Sequence, residues 1–181
     1  MKKISISCCL FFVLVSNTVS AQVMSNDDLK NLMSAEWQRA KAYTQEYMNT
    51  MPADKYSFKA VDSLRSFAQQ LLHLASANVF LMAQATGTPP ASWASFTLEK
   101  RTSVQSRDSV MYFVNASYDY AMDAVNKCDP SKWKDEVTLF GFKVSKFALM
   151  LKAFEHQTHH RGQTTIYIRE NNIIPPQEKL F

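Results

Sequence analysis

Apolar side chains recur at three- and four-residue intervals in four long stretches of this chain, and polar or proline-containing segments separate them. The first stretch runs from about Asp27 to Met48 through Leu29, Leu32, Met33, Trp37, Ala40, Tyr43 and Tyr47, and Met51-Pro52 closes it. The second carries Leu71, Leu72, Ala75, Val79, Phe80 and Met82 to an end near Gly87. Ser66 with Gln69 three positions later makes a capping-box start for it, and Asp62 competes one turn earlier. In the third, Thr102 and Gln105 repeat the capping-box spacing, and Val104, Met111, Val114, Ala121, Met122 and Val125 form the apolar face up to Cys128-Asp129-Pro130. The fourth starts near Ser145 and passes through Phe147, Met150, Leu151, Phe154, His156, His160 and Thr164 to about Arg169. Asn171 and Asn172 are suited to stop it in the left-handed conformation, ahead of Pro175-Pro176. Four long amphipathic helices with connections of uneven length predict an all-α fold, a four-helix bundle. Only Val137 to Phe140 reads differently, as a short strand or an extended loop.

Composition agrees and narrows the reading. Three glycines in 181 residues disfavour a turn-rich β fold, and the length fits one domain with a core of its own. At the amino terminus, Lys2 and Lys3 precede an apolar run from Ile4 to Val15, and Val19-Ser20-Ala21 follows with small residues. This pattern predicts a cleavable signal peptide over residues 1–21, a mature domain over 22–181, and export to the periplasm or the medium. The run is shorter than the roughly 20 apolar residues a spanning helix requires, so no stable membrane insertion is expected after cleavage. Cys8 and Cys9 leave with the signal and neither follows the apolar run, so no lipid attachment is expected and Cys128 has no internal partner. Without Lys2 and Lys3 the mature domain carries 18 basic and 16 acidic side chains. That balance holds no basic stripe of the kind nucleic acid requires. Asn115-Ala116-Ser117 matches a glycosylation acceptor formally, but it lies inside a predicted helix.

The chemistry gathers in Glu155 to Gln163, EHQTHHRGQ, which holds three of the four histidines. On a helix, His156 and His160 stand one turn apart on one face, where two imidazoles can grip one ion. His159 lies about 60° round from His156 on the side away from His160. It is the weaker candidate, expected to pair with a carboxylate or a backbone carbonyl. The remaining histidine, His73, sits in the middle of the second helix. Three imidazoles from facing helices would leave coordination positions open, as catalytic rather than structural zinc sites do. The spacing alone also fits helix-end histidines that hold no metal. Gln157 stands where a metalloprotease helix has its glutamate, so that mechanism lacks its general base, and Glu155 points about 100° away from His156. Gln163 and Tyr167 are expected either to line the site or to cap and pack. Arg161 is expected to face solvent or a carboxylate.

From Val137 to Pro176, and above all in EHQTHHRGQTTIYIRENNIIPP, the chain resembles the carboxy-terminal signature of the DinB-like (YfiT-like) metal-dependent four-helix bundles. RSFAQQLLHLASAN around His73 resembles the second-helix signature of the same family. The resemblance implies His73, His156 and His160 as metal ligands, a divalent ion that is commonly zinc or nickel, and often a homodimer. It also implies thiol transferase or isomerase chemistry, because a metal with an open position stabilises the thiolate form of a thiol. One departure is Asn172, where family members usually have glycine; asparagine also tolerates the left-handed conformation. The expected function is therefore that of an exported metal-dependent enzyme activating a thiol toward an electrophile. A hydrolase using a metal-bound water is the alternative, and a metal-binding bundle without turnover is the third reading.

Overall fold

The computed structural model describes residues 24–181, so the expected signal peptide lies outside the described residues. Four helices dominate: α1 (Asn26–Thr50), α2 (Phe67–Thr86), α3 (Arg107–Lys127) and α4 (Lys146–Glu170). A two-stranded antiparallel hairpin, β1 (Glu136–Leu139) and β2 (Phe142–Ser145), precedes α4.

Local capping explains most of the boundaries. Ser25 and Asp28 form a reciprocal capping box at the start of α1, and Ser66 and Gln69 form another at α2, which decides against Asp62. At α3 the expectation fails. Thr102–Val104 form only a 3-10 turn, and the helix begins at Arg107 with Ser106 as its cap. The Gln105 amide is used elsewhere, donating to the Glu99 carbonyl at 2.8 Å. Ser145 ends β2 and caps α4, accepting from Ala148 N. Gly87 (φ 79°) ends α2 in the left-handed region, and Asn172 (φ 59°) adopts it just beyond α4.

The hairpin turn is Phe140-Gly141, with φ of 51° and 83°. Two-residue turns of this hand favour Asn, Asp or Gly at the first position, so an aromatic residue there strains the backbone. This sequence gives no usual turn signal, and β2 was not foreseen for that reason.

Helix α2 carries no Asp, Glu, Lys or Arg, and a helix with no charged face belongs in the interior. It packs chiefly against α4 and α3, while α1 packs on α3 and α4. Leu71, Leu72 and Leu74 are fully buried, each contributing about 1.5–3 kcal/mol. Trp37 of α1 meets Tyr118 and Phe154 edge-on, with ring centroids 5.8 and 5.3 Å away. Leu32, expected on the buried face of α1, is half exposed at the bundle edge. Cys128 is buried, and the Trp133 indole N–H donates to its sulfur at 3.3 Å. Among the described residues no helix is long and apolar enough to cross a membrane.

Candidate metal centre

Because α2 and α4 run antiparallel along their shared seam, the middle of one meets the middle of the other. His73 of α2 therefore faces His156 and His160 of α4. One ligating atom from each lies within 4.8 Å of the other two. The ring centroids of His73 and His160 are 4.5 Å apart, those of His156 and His160 4.4 Å, and those of His73 and His156 5.3 Å. No fourth ligating side chain joins this group among the described residues.

Two of the rings are oriented through Nδ1. His73 Nδ1 lies 2.6 Å from Glu99 Oε2, and the other carboxylate oxygen accepts from Arg65 Nε at 2.9 Å. His160 Nδ1 lies 2.8 Å from Gln70 Oε1. The Gln70 amide donates to the Tyr167 hydroxyl at 3.3 Å, and that hydroxyl donates to the Arg65 carbonyl at 2.7 Å. With Nδ1–H donated in both rings, the lone pair is left on Nε2, the tautomer a metal ligand needs. Among the described residues His156 finds no hydrogen-bond partner through either nitrogen, and its Nδ1 is buried.

The environment keeps these rings neutral. Burial lowers His160 to about 3 and His156 to about 4, and neighbouring imidazoles push both further down. His73 is also lowered, by burial first and then by Arg65, with Glu99 opposing. Neutral nitrogen donors converging on one point suit a borderline divalent ion, and an unpartnered buried ring nitrogen fits the same reading. The three histidines could thus hold a metal.

The neighbouring expectations divide. His159 is exposed and pairs with the Gln163 amide at 3.0 Å, so it meets neither a carboxylate nor a carbonyl; the carboxylate of this site serves His73 instead. Tyr167 is buried and takes the packing role, supporting Gln70. Arg161 does not face solvent. It is buried, donates to Gln157 Oε1 at 3.0 Å and lies 4.6 Å from the Tyr43 ring centroid. Gln157 also accepts from the Tyr118 hydroxyl at 2.8 Å, which binds it into the core rather than into the histidine group.

Sequence reasoning missed Gln70, Glu99 and Arg65. Gln70 had a usable signal, since it lies one turn before His73 on the same side of α2. Glu99 had none, because it reaches the site from a 3-10 turn (Leu98–Lys100) in the α2–α3 connection.

A helical bundle with three histidines converging from two facing helices defines a class of proteins equipped to bind a metal between their helices. Within that class, the chain belongs to the DinB family, whose sequence profile matches residues 24–177. The fold is similar to the crystal structure of a DinB-like protein from Bacillus cereus, at 15% identity with a TM-score of 0.69, covering 81% of this chain and 95% of that one. A DinB-like protein from Bacillus subtilis is similar at 20% identity with a TM-score of 0.62, covering 83% of this chain and 96% of that one. No curated protein matches the sequence.

Proposed function

We propose that this DinB-family chain is an exported metal-dependent enzyme in which His73, His156 and His160 hold a divalent ion, zinc or nickel, and a thiol is transferred to an electrophilic substrate. The observation that carries the reading is the set of three neutral imidazoles with two Nε2 lone pairs held ready and no fourth ligand among the described residues. When bound there, a divalent ion supplies the charge that favours thiolate over thiol. Glu99 and Gln70 hold the His73 and His160 rings at Nδ1, so neither ring needs reorienting when a ligand arrives. Arg65 contributes to the lowering of all three histidines, so its positive charge also bears on the space where an anionic sulfur would sit. In the transfer, the thiol proton passes to solvent, the sulfur electron pair forms the bond to the electrophilic carbon, and the leaving group departs with its own pair.

Hydrolysis is less well supported. Activation of water calls for a free base nearby, and both oxygens of Glu99 are engaged, one by His73 and one by Arg65.

Metal analysis of the purified protein tests the first half of this reading: about one ion per chain is expected, and His156→Ala should lose it. Full metal content in that variant would sink the proposal. Cobalt-substituted protein tests the second half. Adding a low-molecular-weight thiol should produce a sulfur-to-cobalt charge-transfer band, and an unchanged spectrum would leave a metal-binding bundle without thiol chemistry.

A further inference from the structure

The side of α2 that carries His73 continues through Ser76 and Phe80, three and seven residues on. There it borders a cavity of about 140 Å³, closed from the other side by Pro90, Ala94, Ser95 and Phe96 of the α2–α3 connection. That same connection delivers Glu99 to His73, while His156 and His160 reach the group from α4. Ser76 lies about 4.5 Å along the helix axis from His73. The cavity thus begins about one turn of α2 beyond His73.

The lining is mostly apolar. The Phe80 and Phe96 rings meet edge-on at 4.7 Å, and the strained Phe140 of the hairpin turn reaches to 6.1 Å from Phe80. Ser95 is committed within its own loop, accepting from Thr97 N and lying 2.9 Å from the Thr97 hydroxyl. Ser76 is different. It is 5% exposed and borders the cavity, and its hydroxyl is shut off from solvent with no hydrogen-bond partner among the described residues. A buried hydroxyl is unfavourable without a partner, so a ligand atom that bonded it would gain more than an exposed serine could offer. A volume of roughly this size, about 150 Å³, accommodates one benzene ring, and here the half-exposed Phe96 leaves a way in from solvent.

We propose that this cavity seats a small apolar group of the substrate, no larger than one aromatic ring, with the Ser76 hydroxyl bonding a polar atom carried on that group. The substrate role rests on the histidine group being a reaction centre; the binding of such a group does not. The cavity sets substrate size through Phe80, Ala94 and Phe96 and chemical preference through Ser76.

Benzyl alcohol and toluene serve as probes, titrated by NMR into the metal-loaded protein. Ser76→Ala should weaken benzyl alcohol about three- to tenfold relative to toluene, the worth of one neutral hydrogen bond. Ala94→Leu, checked for fold by circular dichroism, should weaken both probes at least about tenfold by filling the space. An unchanged ratio of the two probes in Ser76→Ala, or unchanged binding in Ala94→Leu, overturns the cavity site. His156→Ala separates the two readings: loss of metal with both probes still bound supports both, whereas retention of metal removes the substrate role while the cavity stands.

Discussion

Helix α4 carries two polar clusters side by side, one fully buried and one half-buried, and they are built on opposite plans. Facing α1 and α3, Gln157 and Arg161 join Tyr118 and Thr44 in a closed set: Thr44 Oγ1 lies 2.7 Å from the Tyr118 hydroxyl, which donates to Gln157, and Gln157 also receives Arg161. Facing α2, the histidine group ends in a loose atom, His156 Nδ1, which has no partner among the described residues. Buried polar groups are stable only when satisfied, so the closed set reads as scaffold and the open set as a place for something that arrives later. Neighbouring positions in one sequence motif thus serve different ends, with Gln157 and Arg161 in the scaffold and His156 and His160 in the site.

The sharpest break of this comparison is His156→Ala. It should reduce metal affinity by about a thousandfold or more, roughly 4 kcal/mol, while moving the stability of metal-free protein by less than about 1 kcal/mol. Chelator competition and urea unfolding measure the two quantities. Gln157→Ala should do the reverse, leaving metal content intact and costing about 3 kcal/mol of stability, because Tyr118 and Arg161 lose their buried partner. If both variants lost metal equally, the distinction between the clusters would collapse. The closed cluster also has a pH signature. Burial lifts the Tyr118 hydroxyl to about 12, above its unfolded value near 10. A raised folded value means that stability from this group is complete below about pH 10 and declines as pH rises toward 12. Alkaline titration of metal-free protein should show that decline, and Tyr118→Phe should lessen it.

Smaller effects probe the support of the open cluster. Glu99→Gln should weaken metal binding about 10–100-fold without changing its stoichiometry, since the His73 ring loses its carboxylate anchor. Smallest of all is His159→Ala, for which metal affinity should stay within about twofold because that ring is exposed and bonded only to Gln163. A loss comparable to that of His156→Ala would mean that the ligand set had been drawn wrongly.

Much of the fold was legible because its signals are local. Ser66 with Gln69, Gly87 and Asn172 mark helix ends through bonds and dihedrals within a few residues, and the apolar spacing shows which faces pack. Spacing paired His156 with His160 and left their partner open; the resemblance to the family supplied His73, and the structure brings the three together. What escaped depends on contacts between distant segments. Glu99 is brought to His73 by a connection whose path no periodicity reveals, and Gln105, read as part of a helix start, holds the carbonyl of that same Glu99. Arg161 was expected outside because a charge usually is; the Tyr43 ring and the Gln157 amide make an interior place for it that only the packed bundle shows.

The antiparallel seam of α2 and α4 also matters for the unfolded chain. His73 and His156 belong to segments about 80 residues apart, and an ion bridging them would tie off a loop of that size in a protein whose one described cysteine is free. Such a bridge acts as a reversible cross-link, restricting the disordered ensemble much as a disulfide does, yet removable by a chelator. Metal loading would then set how long the fold lasts between unfolding events.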